Sequence, residues 1–454
     1  MLSFTVENVK IATAGIVVKT VAHNFTKVVT DTRLVKEGAL FIALIGDRFD
    51  GHVFVHQAIE KGAAGIIVSG DYTAEELAQL NVTIIKVNNT LTAYQQLAKL
   101  YRDSFAIPVI AITGSNGKTT TKDLTAAVLS SKFNVLKTKA NYNNEIGLPL
   151  TLFSLTEDHE VAVVEMGMRG FGQIEELVKI ATPTIGIVTN VGETHMELLG
   201  SLENIAKAKG ELVEAMDANG VVILNVDNSY VCAMQAKAKG KVILFGFSEA
   251  ADVKASNVKI NGQETMFDCS FSGATYSFVV PMVGRHNVYN ALAAIAVGFE
   301  LGLTAEEMQS GLADFTASGM RLAIGHVGDY TVINDAYNAS PMSMMAAIEA
   351  LKEVANNRCI AVLGDMLELG DIAVEAHANI GVKLAEKKID AVVTIGEMAK
   401  YIASSALENG VLQVVACDNH SQAGLALKDI LQAGDSILVK GSRGMQMEKV
   451  IELI

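Results

Sequence analysis

Val109-Ile110-Ala111-Ile112-Thr113-Gly114-Ser115-Asn116-Gly117-Lys118-Thr119-Thr120 is the stretch on which the reading of this chain turns. An apolar, β-branched run stops at a Gly-rich turn, and Gly-Lys-Thr then opens a stretch with helical spacing. Glycines let backbone N–H groups close on a phosphate chain, and a helix N-terminus adds positive potential. Lys118 would reach the terminal phosphates of a nucleotide, and the Thr119 hydroxyl would ligate Mg²⁺. The spacing departs from G-x-x-x-x-G-K-[ST]: Ile112 stands where the first glycine would be, and Gly114 supplies the earlier one. The competing reading is an ordinary strand–turn–helix with a chance Gly-Lys-Thr. The strand–loop–helix context favours the phosphate loop.

Outward from this stretch, short β-branched runs alternate with helix-like segments, the pattern of parallel α/β domains. Three blocks emerge. The first has strand-like runs at 27–29, 39–44 and 65–68 and a helical pattern over 53–61. The second has strands at 109–113, 161–165, 184–189, 221–225 and 242–245. Its helices fall at 119–131, 173–180, 202–216 and 287–301, and two or three antiparallel strands fall within 251–281. The third restarts the α/β rhythm with strands at 330–334, 360–363, 391–395, 413–416 and 436–440.

A length of 454 residues fits this division, at ~150 residues per domain. Half the residues are hydrophobic, so sizeable cores can be buried and extended disorder is excluded. No apolar run approaches the ~18 residues of a spanning helix, so no membrane span is expected. The 36 Lys and Arg against 50 Asp and Glu give a net charge of −14, which argues against a coat for nucleic acid. Cys232, Cys269, Cys359 and Cys417 are far apart and form no C-x-x-C pair, as expected of reduced thiols. The first residues show no basic segment followed by an apolar core, so no signal peptide is expected.

Further polar residues fall at predicted strand ends. Glu165 closes Val163-Val164-Glu165, at the carboxyl edge of a parallel sheet, either as a Mg²⁺-side ligand or as a solvated strand end. His195 follows the next strand at the same edge. Lys209, in Lys207-Ala208-Lys209-Gly210-Glu211, reads either as part of a solvated helix face or as a buried lysine open to modification by CO₂. Asn287 and Asn290 share a helix face and either cap the helix or read a base. Asn334-Asp335-Ala336-Tyr337-Asn338-Ala339-Ser340-Pro341 either meets a ribose or caps a helix. Lys440-Gly441-Ser442-Arg443 reads as an anion-binding loop or a plain turn. His52 and His56 lack the H-E-x-x-H pattern and read as structural.

In this order and spacing, residues 113–120, Glu165, His195, Ala208-Lys209, 284–290, Arg321 and Asp335 resemble the Mur ligase family, the ATP-dependent amide-forming enzymes of peptidoglycan precursor synthesis. The resemblance spans essentially the whole chain. Five runs (141–149, 165–169, 337–341, 363–370 and 440–443) are similar to those of the member that joins D-alanyl-D-alanine to UDP-N-acetylmuramoyl-tripeptide. Thr32 stands where Ser is usual, and Ser340 where Asn is common.

The resemblance implies a three-domain α/β fold. Residues 1–88 would bind the UDP-sugar. Residues 89–318 would form a central P-loop ATPase domain with a parallel sheet and a smaller antiparallel portion. Residues 319–454 would form a Rossmann-like domain that brings the amino substrate and closes over ATP. ATP and Mg²⁺ are the implied cofactors. Thr113, Gly114, Ser115, Asn116, Gly117, Lys118, Thr119, Thr120, Asn287, Asn290, Arg321 and Asp335 would bind ATP. Thr119, Glu165, His195 and a carbamylated Lys209 would hold the metal. Lys118, Lys209, His195 and Arg321 would serve catalysis, and Asp31, Thr32, Arg33, Asn141, Asn143, Tyr337 and Asn338 would hold substrate. The implied enzyme is a cytoplasmic monomer without nucleic-acid partners. The rivals are the family member that adds the third amino acid and a folylpolyglutamate synthase-like ligase. The former carries Asp-Asn-Pro-Arg where this chain has Asp418-Asn419-His420-Ser421. A P-loop phosphotransferase or nucleotide-gated binding protein is the reading from another class.

Overall fold

Branched side chains pack well on a pleated surface, and the helices between them start at Ser, Thr and Asn caps. Thr5, Asn89, Ser201, Asn228, Thr304, Ser340 and Asn419 each accept a backbone N–H in the first turn of their helix. The computed structural model describes residues 4–46, 49–70, 72, 76, 79–316 and 319–454. The expected boundary at residue 318 lies outside them. Compactness groups residues 1–109, 136–166 and 175–183 into one unit and residues 110–135, 167–174 and 184–454 into a second.

The first unit begins with β1 (Phe4–Thr5), β2 (Ile16–Lys19), β3 (Asn24–Phe25), β4 (Val28–Val29), β5 (Ala39–Ile42), β6 (Ala63–Val68) and β7 (Thr83–Lys86). β1 pairs antiparallel with β3, while the others form a sheet ordered β2-β7-β6-β5-β4. Only the β2–β7 pair of that sheet is antiparallel. Phe41, Val55, Ala58, Ile66 and Ile84 fill its core. Helix Thr90–Asp103 also belongs here, with Tyr94 and Tyr101 packed against Phe153. Arg102, near its end, is buried and donates to the carbonyls of Phe105, Ile107, Ala181 and Thr182.

Next come β8 (Val109–Thr113), β9 (Val135–Lys137), β10 (Val161–Glu165), β11 (Ile185–Val188), β12 (Val221–Asn225), β13 (Lys241–Gly246), β14 (Val253–Asn261), β15 (Glu264–Phe271) and β16 (Ala274–Val280). β10 lies in the first unit. In the second, the order β16-β15-β14-β13-β12-β11-β8 is continuous. β8, β11, β12 and β13 pair parallel, and β14 to β16 form the antiparallel portion expected within 251–281. Helices Lys118–Ser130 and Arg285–Glu300 pack together beside this sheet, the second buried almost throughout its length.

The same unit ends in a sheet of β17 (Ala323–Val327), β18 (Tyr330–Asp335), β19 (Cys359–Gly364), β20 (Ala391–Ile395), β21 (Gln413–Cys417) and β22 (Ser436–Lys440), ordered β17-β18-β22-β19-β20-β21. All pairs but β17–β18 are parallel. Alternate residues feed opposite cores. Ala361 and Leu363 join Met344, Ile380 and Ile402 on one face. Ile360 and Val362 join Leu427 and Val450 on the other. Helices on both faces of a parallel sheet are the Rossmann-like arrangement expected from the sequence.

Candidate active site

The loop between β8 and helix Lys118–Ser130 tolerates side chains at neither of its glycines. Gly114 has φ 150°, and a Cβ there would lie 1.9 Å from Thr189 Oγ1. Gly117 has φ 79°, and a Cβ would lie 2.5 Å from Asn290 Oδ1. The segment after β11 supplies the scaffold. Thr189 Oγ1 and Asn190 Nδ2 both donate to Asn116 O, at 2.7 and 3.0 Å. Asn116 N donates to Asn190 Oδ1, and Ser115 N to Asn190 O. Ser115 Oγ donates to Gly192 O and accepts from Thr194 Oγ1. Sequence reading missed Thr189, Asn190 and Thr194, although the strand end before them marked the place.

Lys118 Nζ folds back onto Gly114 O at 2.7 Å and Ser115 O at 3.3 Å. Thr119 sits buried in the first helical turn. Asn287 is not the N-cap of its helix; Gly284 is. Asn287 Nδ2 donates to Val283 O, Asn290 Nδ2 donates to Asn287 Oδ1, and Thr121 Oγ1 donates to Asn290 Oδ1. The two amides thus brace the loop from below.

Lys209 is only 2% exposed, inside helix Leu202–Ala215. Burial, reinforced by the nearby Lys118 ammonium, drives its pKa well below the ordinary lysine value. No carboxylate is among the groups that shift it. His195 has the left-handed φ of 56° and precedes the short helix Met196–Leu199. Its Nδ1 lies 2.6 Å from Glu368 Oε2. Burial lowers its pKa, Glu368 opposes the shift, and Lys209 and Lys118 add to it. Lys118, Lys209 and His195 therefore share one field, and an anion would relieve it.

From the C-terminal sheet, Arg321 lies over the Tyr337 ring with its guanidinium carbon 3.9 Å from the centroid. Asp335 Oδ1 accepts Leu322 N at 3.1 Å, and Tyr337 N donates to Met320 O, fixing the backbone around Arg321. Asp335 Oδ2 is paired with buried Lys440, which also donates to Asn338 O. Ser340 caps helix Pro341–Val354, and its Oγ donates to Asn116 Oδ1 of the phosphate loop at 2.9 Å. The structure thus brings Arg321, Asp335, Tyr337 and Asn338 together around Lys440.

The remaining predicted site residues lie in the first unit, whereas Asn419 lies in the second. Asn143 Nδ2 donates to Glu165 Oε1 at 2.7 Å, and Asn143 N donates to Asn141 O. Asp31 caps a short 3₁₀ turn and binds Arg33 through both carboxylate oxygens. Thr32 Oγ1 donates to Gln57 Oε1. His52 bridges Asp50 and Ser69 N, a structural role. Asn419 caps helix His420–Ile430. Among the described residues no three His, Cys, Asp or Glu side chains converge on a metal position.

A nucleotide-phosphate loop faced by a Rossmann-like sheet matches known proteins along the chain. Residues 24–102 match the catalytic domain of the Mur ligase family, 112–298 the Mur ligase middle domain, and 320–443 the Mur ligase glutamate ligase domain. The chain belongs to the Mur ligase family, ATP-dependent ligases that form amide bonds. It is 40% identical to the UDP-N-acetylmuramoyl-tripeptide–D-alanyl-D-alanine ligase of Bacillus subtilis over 465 aligned positions, covering 100% of this chain and 98% of that protein. Its fold superposes on a crystal structure of MurF from Acinetobacter baumannii with a TM-score of 0.92, at 31% identity and over 100% of this chain and 98% of that one. MurF of Thermotoga maritima in complex with ADP gives a TM-score of 0.85, at 27% identity over 94% and 96% of the two chains.

Proposed function

We propose that this chain joins D-alanyl-D-alanine to the peptide carboxylate of UDP-N-acetylmuramoyl-tripeptide, at the cost of ATP, as a cytoplasmic monomer. The observation that carries the reading is the cluster of Lys118, Lys209 and His195 beneath a braced phosphate loop. Among the described residues no helix is long and apolar enough to cross a membrane.

A peptide carboxylate is a poor electrophile. Its oxygen attacks the γ-phosphorus of ATP, the bond to the β-phosphate oxygen breaks, and an acyl phosphate forms as ADP is released. The neutral amine of the dipeptide then attacks the carbonyl carbon. The C–N bond forms, the amine proton is lost, and phosphate departs. Such chemistry asks the protein mainly to position the reactants and neutralise charge. The loop of residues 113–120 and the Lys118 and Arg321 cations do the second. Thr119, Glu165, His195 and carbamylated Lys209 would hold Mg²⁺, which when bound neutralises phosphate oxygens. The depressed pKa of Lys209 favours its neutral amine, which adds CO₂ with loss of a proton to give an anionic carbamate ligand.

Asn287 and Asn290 act on the adenine side through their hold on Gly117 and Thr121. Asp335 meets the ribose with the lone pairs that Lys440 and Leu322 leave. Asp31, Thr32, Arg33, Asn141 and Asn143 hold the UDP-sugar substrate, and Tyr337 and Asn338 the peptide end. The roles divide as in the sequence reading: residues 1–88 for the sugar nucleotide, 89–318 for ATP and 319–454 for the amino substrate.

The test is phosphate release from ATP by purified protein. Release should require both UDP-tripeptide and D-alanyl-D-alanine. Release without dependence on the dipeptide would refute the assignment. Comparing tripeptides ending in lysine and in diaminopimelate would fix the acceptor.

A further inference from the structure

Glu368 has no part in the roles assigned above, yet the fold takes unusual care to present it. The three residues before it are each tied down. Asp365 Oδ1 accepts Ala399 N at 2.7 Å, and Asp365 O accepts Ser442 N. Met366 N donates to Nε2 of the buried His377, whose Nδ1 donates to Ala373 O. Leu367 N donates to Ser442 Oγ at 2.8 Å. Glu368 then takes the left-handed φ of 61°, which non-glycine residues adopt only when their surroundings hold them there. Its backbone O accepts Glu197 N at 3.1 Å, two residues beyond His195. Its carboxylate meets His195, itself left-handed at φ 56°. Two left-handed residues, each in a segment that follows a strand of one sheet of the second unit, are thus joined by a side-chain hydrogen bond, with the backbone bond from Glu197 beside it.

We propose that Glu368 is a positioning residue: its carboxylate takes the Nδ1–H of His195, leaves Nε2 as the lone-pair nitrogen for the nucleotide site, and so makes that site complete only when the C-terminal sheet is docked. A carboxylate behind an imidazole fixes both tautomer and ring orientation. The Ser340–Asn116 hydrogen bond is a second point of the same docking, on the phosphate loop itself. The proposal rests on the reading of His195 as a nucleotide-site residue.

The test uses the full chain labelled with ¹⁵N in its histidine rings. Besides the Nδ1–H tautomers that His52 and His377 adopt, one further histidine of the nine should show an Nδ1–H signal, which His195→Gln removes. Glu368→Ala should shift that signal toward Nε2–H, and should raise the half-saturating Mg²⁺ concentration for phosphate release roughly tenfold or more. Glu368→Gln, whose amide oxygen still accepts, should keep the tautomer and lose less. The KM for the UDP-tripeptide should stay unchanged in both. Retention of the tautomer and of the Mg²⁺ requirement in Glu368→Ala would overturn the proposal alone. An unchanged Mg²⁺ requirement in His195→Gln would overturn the reading of His195 beneath it.

Discussion

Lys118 rests on the carbonyls of Gly114 and Ser115, so its ammonium is already held over the loop where a phosphate would lie. Lys118→Ala should cut kcat by roughly 10²–10³, the scale of losing one preorganised charge partner. Its thermal midpoint should stay close to wild type, which a melt checks alongside phosphate release. Lys209→Ala should also lose activity, and short-chain carboxylates should restore part of it by replacing the carbamate. Full activity without additive would remove the carbamate from the mechanism. The strand–turn–helix around residues 113–120 was readable because its signals are local. The partners of those residues were not. Thr189 and Asn190 lie more than seventy positions away in sequence, as the 73- and 74-residue separations of their bonds to Asn116 show. The pairing of Asp335 with Lys440 spans 105 residues and carried no local signal.

At the scale of elements, β8, β10, β12, β20 and β22 fall where their β-branched runs place them, because a strand buried on both faces is nearly all apolar. Short strands such as β1, β3 and β9 escaped, since two or three residues give no period to read. Helix Thr90–Asp103 escaped as well. Its buried face includes Gln95 and Arg102, polar residues whose partners include carbonyls distant in sequence, Glu145 for the first and Ala181 and Thr182 for the second. Arg102→Met should therefore lower stability by about 3 kcal/mol in urea unfolding, because buried carbonyls are left unpaired. Ser340→Ala should cost about 1 kcal/mol through loss of its capping box, and Ser340→Asn should recover most of it.

At the scale of the whole molecule, pH acts through buried imidazoles. Burial pushes His286 down to about 4, with Asp335 and Glu349 opposing and Lys440 assisting. The unfolded ring titrates near ~6.5, so between these values the unfolded chain binds more protons. His286 thus adds no penalty above ~6.5, and stability falls as pH drops toward 4. Urea midpoints at pH 7 and pH 5 measure the slope, which His286→Gln should flatten. The net charge of −14 is likewise a bulk property. It did not foretell the grouping of Lys118, Lys209 and His195, which sequence-distant chain segments assemble.

The position of β22 bears on how the protein is made. It is the last strand to leave the ribosome, yet it lies between β18 and β19. Until residues 436–440 are synthesised, the C-terminal domain is two half-sheets with exposed edges, each a template for pairing with other chains. A polypeptide released before Ser436 would carry an intact phosphate loop but would lack Lys440, the counter-charge of Asp335. Synthesis of residues 436–440, not the slow growth of a sheet from one side, is what closes this sheet, so termination before Ser436 should yield insoluble product.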